Sequence, residues 1–209
     1  MSTKGVLNTV RLFLSLFSRQ PDNKTWHMYL KKLGAVGLPL ENQVLDFLNK
    51  YFFPEFANIA RQIVHTERQI QIDGANLTTL RDLNNGYTFK GEFLLRCFPD
   101  WGRIYNSIVS LVGPVNYALP HIVLHTHDLP IHVDRRFFSV NIGLVNPTLW
   151  ETQVFNYEKT KVLESARYGY GEFIGLDTRQ FHTVVNLTSK PEIHGFLVFT
   201  PLNDISQML

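Results

Sequence analysis

His132-Val133-Asp134 sets an imidazole and a carboxylate two residues apart. In extended backbone such residues project from one face, so both groups can close on a single metal ion while Val133 turns away into packing. A third histidine, His182, stands in the run Phe181-His182-Thr183-Val184-Val185-Asn186. Brought alongside from a distant strand, it completes two neutral imidazoles and one carboxylate on one side of a divalent ion. The opposite positions stay open, which suits iron(II). His121, His125 and His127 fall on alternate positions of another extended stretch, where they can line the same cavity or bind a second metal. Asn141 and Asn186 can orient ligands or substrate from behind, because a metal-bound imidazole commonly donates its other nitrogen to an oxygen acceptor.

The elements that must hold these groups read as short strands. Ile104 to Leu111 has helical patterning, Val112-Gly113-Pro114 a turn, and Val115 to Thr126 a strand rich in branched and aromatic residues. Asp128-Leu129-Pro130 turns the chain just before the triplet, and Phe137 to Val145 has strand composition up to Asn146-Pro147. Further strands are expected at Gln153 to Tyr157, Glu172 to Leu176, His182 to Asn186 and Ile193 to Thr200. Strands of this length with turn signals between them predict a mainly β domain, a double-stranded β-helix or jelly roll of cupin-like form.

From Tyr105 to Pro201 this order of elements resembles the 2-oxoglutarate and Fe(II)-dependent oxygenases, most nearly their aspartyl/asparaginyl β-hydroxylase-like and prolyl-hydroxylase-like branches. The match rests on His132-Val133-Asp134, on His182-Thr183-Val184, and on Phe173-Ile174-Gly175-Leu176-Asp177 ahead of Phe181-His182. The resemblance implies Fe(II) at His132, Asp134 and His182, 2-oxoglutarate as co-substrate, and hydroxylation as the reaction. It also implies an arginine or lysine on the strand after the distal histidine to pair with the far carboxylate of 2-oxoglutarate. That strand, Ile193 to Phe199, offers His194 instead. A guanidinium is a permanent two-pronged partner for a carboxylate, whereas a histidine is positive only when protonated. Arg136, two residues beyond Asp134, is the first candidate to supply the charge; Lys190 and Arg179 are the others. A cupin-like metalloprotein that does not use 2-oxoglutarate, and a non-catalytic binding module on the same fold, are the alternatives.

The 209 residues are enough for one core, and a charged fraction of 18% with 16 phenylalanines fits a buried globular chain. We therefore expect a single catalytic domain over 1–209, with residues 1–100 mainly helical support and 101–202 the β-helix core. A net charge of +2 without a basic stripe argues against nucleic acid, leaving a small-molecule or peptide substrate as the expected partner. Cys97 is the only cysteine, which excludes an internal disulfide and a cysteine-based zinc site and points to a cytoplasmic setting. Gly5 to Arg19 carries Val6, Val10, Phe13 and Phe17 on one helical face, but its apolar stretch is too short to span a bilayer. Glu41 to Phe53 and Phe56 to His65 continue the helical pattern, and Asp73 to Tyr87 reads as a polar connection turning at Asn84-Asn85-Gly86.

Overall fold

Runs of branched and aromatic residues pair into two antiparallel sheets that face each other. The computed structural model describes residues 28–36, 42, 43, 46, 49, 50, 67–72, 74–81, 86–116, 120–190 and 192–209. The strands are β1 (Leu30–Ala35), β2 (Glu67–Ile72), β3 (Ala75–Arg81), β4 (Gly86–Lys90), β5 (Val115–Asn116), β6 (His121–His125), β7 (Phe138–Val145), β8 (Trp150–Phe155), β9 (Val162–Ala166), β10 (Glu172–Asp177), β11 (His182–Asn186) and β12 (His194–Pro201). The larger sheet runs β1-β10-β7-β12-β6-β4-β3-β2, with β5 attached to β12; the smaller runs β11-β8-β9. A bridge between His132 and His182 adds the triplet segment to the edge of the smaller sheet at β11. From β6 onward the chain thus passes back and forth between the sheets, with the bridged triplet between β6 and β7 and the hairpin β8–β9 on the smaller one, which is the double-stranded β-helix.

Alternation along β7 divides the interior in two. Val140, Ile142 and Leu144 face outward and join the core that Ile104 and Ile108 of a helix complete, with Leu197 and Phe199 of β12. Ser139 and Asn141 face inward, into the space between the sheets. That helix, α2 (Trp101–Val112), follows the short α1 (Phe93–Cys97) and buries Trp101, Ile104, Ile108 and Val112 at helical spacing. Gly113 at φ +77° ends it, and its N–H donates to Val109 O at 2.9 Å. Each such fully buried aliphatic side chain is worth about 1.5–3 kcal/mol, so α2 clamps the sheet whose inner face carries the cavity.

Strands β7 and β11 and helix α2 lie where the sequence predicts them, and β8, β10 and β12 within a few residues. The 115–126 stretch holds two strands, β5 and β6, the second beginning directly after Pro120, which cannot donate to a ladder. The first hundred residues depart further. Where described, they are mostly strand: β1 adds to one edge of the larger sheet, and β4, β3 and β2 extend the other. Of the expected polar connection at 73–87, the described residues are β3 and the start of β4, with Gly74 at φ +77° just before β3; Asn84 and Asn85 of the expected turn lie outside the described residues. The helices expected at Gly5–Arg19 and Phe56–His65 lie outside the described residues; of Glu41–Phe53, positions 42, 43, 46, 49 and 50 are described and are helical. Among the described residues no helix is long and apolar enough to cross a membrane.

Candidate metal centre

The bridge that joins the triplet to β11 also sets the site. His132 N–H donates to His182 O at 3.0 Å and His182 N–H donates to His132 O at 2.9 Å, so the two imidazoles spring from one paired position. Their ring centroids are 4.3 Å apart. Asp134, two residues along the same segment, brings Oδ1 to 3.7 Å from His132 Nε2, and one ligand atom from each of the three residues lies within 4.8 Å of the others.

Both rings are fixed in the same way. His132 Nδ1 donates to Pro130 O at 2.7 Å and His182 Nδ1 donates to Gln180 O at 2.9 Å. With the proton committed to Nδ1, each Nε2 keeps its lone pair for the space between the rings. Burial pushes the His182 pKa down, with the Gln180 carbonyl opposing it, so that imidazole is neutral near pH 7. Arg136 Nε donates to Asp134 Oδ2 at 2.8 Å, which orients the carboxylate and leaves Oδ1 toward the histidines. Two neutral nitrogen donors and one anionic oxygen on one side match a divalent ion of the iron class.

The triad opens on a cavity of about 370 Å³ between the sheets. Leu129, Val123, Leu176, Val184 and Phe196 form its apolar walls. Its polar walls include Asn141 and Thr152, both buried, with Asn141 Oδ1 and Thr152 Oγ1 making no hydrogen bond. Such groups cost free energy unless something in the cavity satisfies them. His121, Lys90 and Thr88 line the same space from β6 and β4, where Lys90 is in register with His121. Burial, then Arg136 and Lys90, hold the His121 pKa down to about 4.

Of the four cationic residues expected to serve a co-substrate, Arg136 alone lines this cavity. His194 is fully buried beneath it: its Nδ1 donates to His125 Nε2 at 2.8 Å, and Tyr168 OH approaches its Nε2 at 3.3 Å. Desolvation, then His125, lower its pKa well below the usual value, so it carries no charge there. Arg179 turns to Asp177, with Nε–Oδ1 2.9 Å and Nη2–Oδ2 2.7 Å. Lys190 is exposed in the turn before β12. Asn186 shapes that turn, its Oδ1 accepting from Thr188 and its Nδ2 donating to Lys190 O at 2.7 Å, and it does not reach the cavity. Asn141 does. His125 donates Nδ1 to His127 O at 2.9 Å, and His127 itself is exposed, so neither joins the triad.

Sequence reasoning missed Lys90 and Thr152. Alternation along Gly86-Tyr87-Thr88-Phe89-Lys90 puts Thr88 and Lys90 on one face, but only the pairing of β4 with β6 turns that face toward the cavity. Thr152 alternates with Trp150 and Val154, both fully buried, and reads as packing until the opposing sheet is in place.

No family model matches the chain, and no curated protein matches it. Solved structures do. AviO1 from Streptomyces viridochromogenes Tue57 superposes at a TM-score of 0.50 with 14% identity, over 84% of this chain and 91% of that one. The non-heme alpha-ketoglutarate-dependent epimerase SnoN of nogalamycin biosynthesis does so at 0.50 with 10% identity, over 83% and 77%. At these identities the likeness concerns the fold.

Proposed function

We propose that this chain is an Fe(II)- and 2-oxoglutarate-dependent dioxygenase that hydroxylates an amino-acid or peptidyl side chain. One observation carries the reading: both histidines of the triplet-and-distal set spend Nδ1 on a backbone carbonyl and turn Nε2 toward a carboxylate held by an arginine. That is the preparation a metal centre needs before the ion arrives. When bound, Fe(II) and 2-oxoglutarate would supply the activation of dioxygen that oxidises a C–H bond. The likeness in fold to an alpha-ketoglutarate-dependent epimerase supports the co-substrate, while leaving the outcome of the oxidation open.

The chain's own residues have definable tasks. His132, Asp134 and His182 would hold the ion from one side. Arg136 orients Asp134 and, through its Nη groups, offers donors to a carboxylate beside the ion; Lys90 is the other cation on the cavity wall. Leu129, Val184 and Phe196 limit water. Asn141 and Thr152 offer hydrogen bonds to an oxygen-bearing occupant. A single cysteine, Cys97, fits a cytoplasmic protein.

The cupin-like reading, a metal centre without 2-oxoglutarate, draws on β12. Its cavity-facing residue is Phe196, and the nearest histidine is neutral. Anaerobic titration with Fe(II) and then 2-oxoglutarate separates the two. The oxygenase develops a visible charge-transfer band as the keto acid chelates the ion, and in air it forms succinate. Iron uptake without that band selects the cupin-like protein, and no uptake rejects both in favour of a binding module.

A further inference from the structure

Arg136 belongs to two concavities. Besides the metal cavity it lines a second one of about 560 Å³, bounded also by Arg135, Phe137, Arg179, Leu202 and Asp204. Both volumes fall in the range of small-molecule sites.

The second concavity is rich in donors. A guanidinium carries five N–H groups in a rigid fork. Arg179 spends two of its nitrogens on Asp177 and lies 4.9 Å from the Phe138 ring centroid, which fixes its plane; Arg136 spends Nε on Asp134. The remaining Nη donors sit on a wall where Asp204 is the one carboxylate. Arg135 is exposed and enters no ion pair among the described residues. On the same lip Phe137 is 67% exposed and Leu202 59%, an apolar pair beside a guanidinium cluster. Guanidinium forks match carboxylate and phosphate oxygens, and an exposed ring offers a face to an apolar body.

We propose that this groove binds the substrate, and that the substrate is a small organic anion: a carboxylate or phosphate ester on an apolar or aromatic body. The assignment rests on the oxygenase reading only in calling the occupant a substrate. It follows from the shared wall, since an anion on the outer face of Arg136 is one side chain away from Asp134.

The test is equilibrium binding followed by amide chemical shifts on EDTA-treated protein, so it does not depend on turnover or iron. Phenyl phosphate and phenylacetate are the anionic probes, distinguishing phosphate from carboxylate, and 2-phenylethanol is the neutral one. Both anions, or the preferred one, should bind at least about tenfold more tightly than the alcohol, the size of a charge-assisted hydrogen bond, with shifts centred on Phe137, Arg179 and Leu202. Arg135→Glu should erase that difference and Arg135→Lys retain part of it; Arg135 is exposed, so neither change threatens folding. Equal binding of alcohol and anions, no binding below about 10 mM, or indifference to Arg135→Glu would overturn the proposal. Tighter binding of the peptide Glu-Phe-Glu-Phe-Glu-Phe would overturn the small-molecule occupant. Anion binding here in a protein that takes up no iron keeps the groove and rejects the oxygenase; the converse rejects the groove alone.

Discussion

Two histidine pairs occupy the interior of this β-helix, and they are put to opposite uses. His132 and His182, with ring centroids 4.3 Å apart, each give Nδ1 to a backbone carbonyl and keep Nε2 available beside a carboxylate. His125 and His194, 4.8 Å apart, are bonded to each other. The proton order of that second pair follows from its ends. His127 O can only accept, so His125 Nδ1 is protonated and its Nε2 accepts from His194 Nδ1, whose own Nε2 then accepts from Tyr168 OH. Every lone pair is consumed, and Trp150 closes the pair off, stacked 5.2 Å from His194. Proximity of imidazoles is therefore not what makes a metal centre. An uncommitted Nε2 and an anionic neighbour are.

Removal of single residues from each site is the strongest way to break the comparison. Asp134→Ala and His182→Ala should each weaken divalent-metal binding by more than about a hundredfold, beyond what loss of a supporting partner costs, as measured by anaerobic calorimetry with Fe(II). An effect of a few-fold would remove the centre from these residues. His194→Ala should leave metal affinity within a few-fold of the parent. It strands His125 Nε2 and Tyr168 OH in a buried space and should cost about 2–4 kcal/mol in urea unfolding.

Acid tests the second pair next. The folded-state pKa of His194 lies well below its unfolded value near 6.5. Above that pH both states are neutral and the group contributes nothing to the pH dependence. Below it the unfolded chain takes up a proton that the folded chain refuses, so stability falls at about 1.4 kcal/mol per pH unit for each such histidine. His121, held down to about 4, and His182, also lowered by burial, add to this slope. Denaturant midpoints measured from pH 7.5 to 5 should decline, and His194→Phe should flatten the curve; an unchanged slope would show that His194 does not remain neutral.

The smallest effects concern the cations around the metal pair. Arg136→Ala should lower iron affinity by about tenfold through the loosened Asp134 and should also weaken 2-oxoglutarate binding, a charged hydrogen bond being worth about 1.5–3 kcal/mol. Lys90→Ala, at an exposed position, should change 2-oxoglutarate affinity by no more than about 1 kcal/mol and leave iron unmoved. A larger loss at Lys90 than at Arg136 would reverse their order as carboxylate partners.

The convergence of His132, Asp134 and His182 was legible in sequence because the spacing of the first two is local chemistry. A two-residue offset fixes His132 and Asp134 on one face whatever the rest of the chain does, and His182 opens a run of branched residues that can only be a buried strand. The strands of the first hundred residues were harder. Glu67-Arg68-Gln69-Ile70-Gln71-Ile72 is too polar to read as strand, although Asp73-Gly74 after it is a hairpin signal, and β2 and β3 pair across it in register from Ile72 and Ala75 to Glu67 and Leu80. What sequence could not supply is which faces meet. Lys90 enters the cavity through the pairing of β4 with β6, and His194 leaves it through its bond to His125. Neither follows from any local pattern, because both are settled by partners about thirty to seventy residues away.

The paired hydrogen bonds between His132 and His182 decide how the protein relates to the ions around it. A zinc finger acquires its shape from its metal, so the fit between them is tested each time it folds. Here fifty residues of chain are already closed by the backbone, and the ligands stand in place through bonds that no ion has to make. Such a centre accepts candidates rather than shaping itself to one. Nitrogen and carboxylate donors bind nickel and copper more tightly than iron along the divalent series. For the proposed centre, the ion carried would thus follow the supply in the compartment where the protein is made, and a preparation loaded in one medium need not be the same chemical species as one loaded in another.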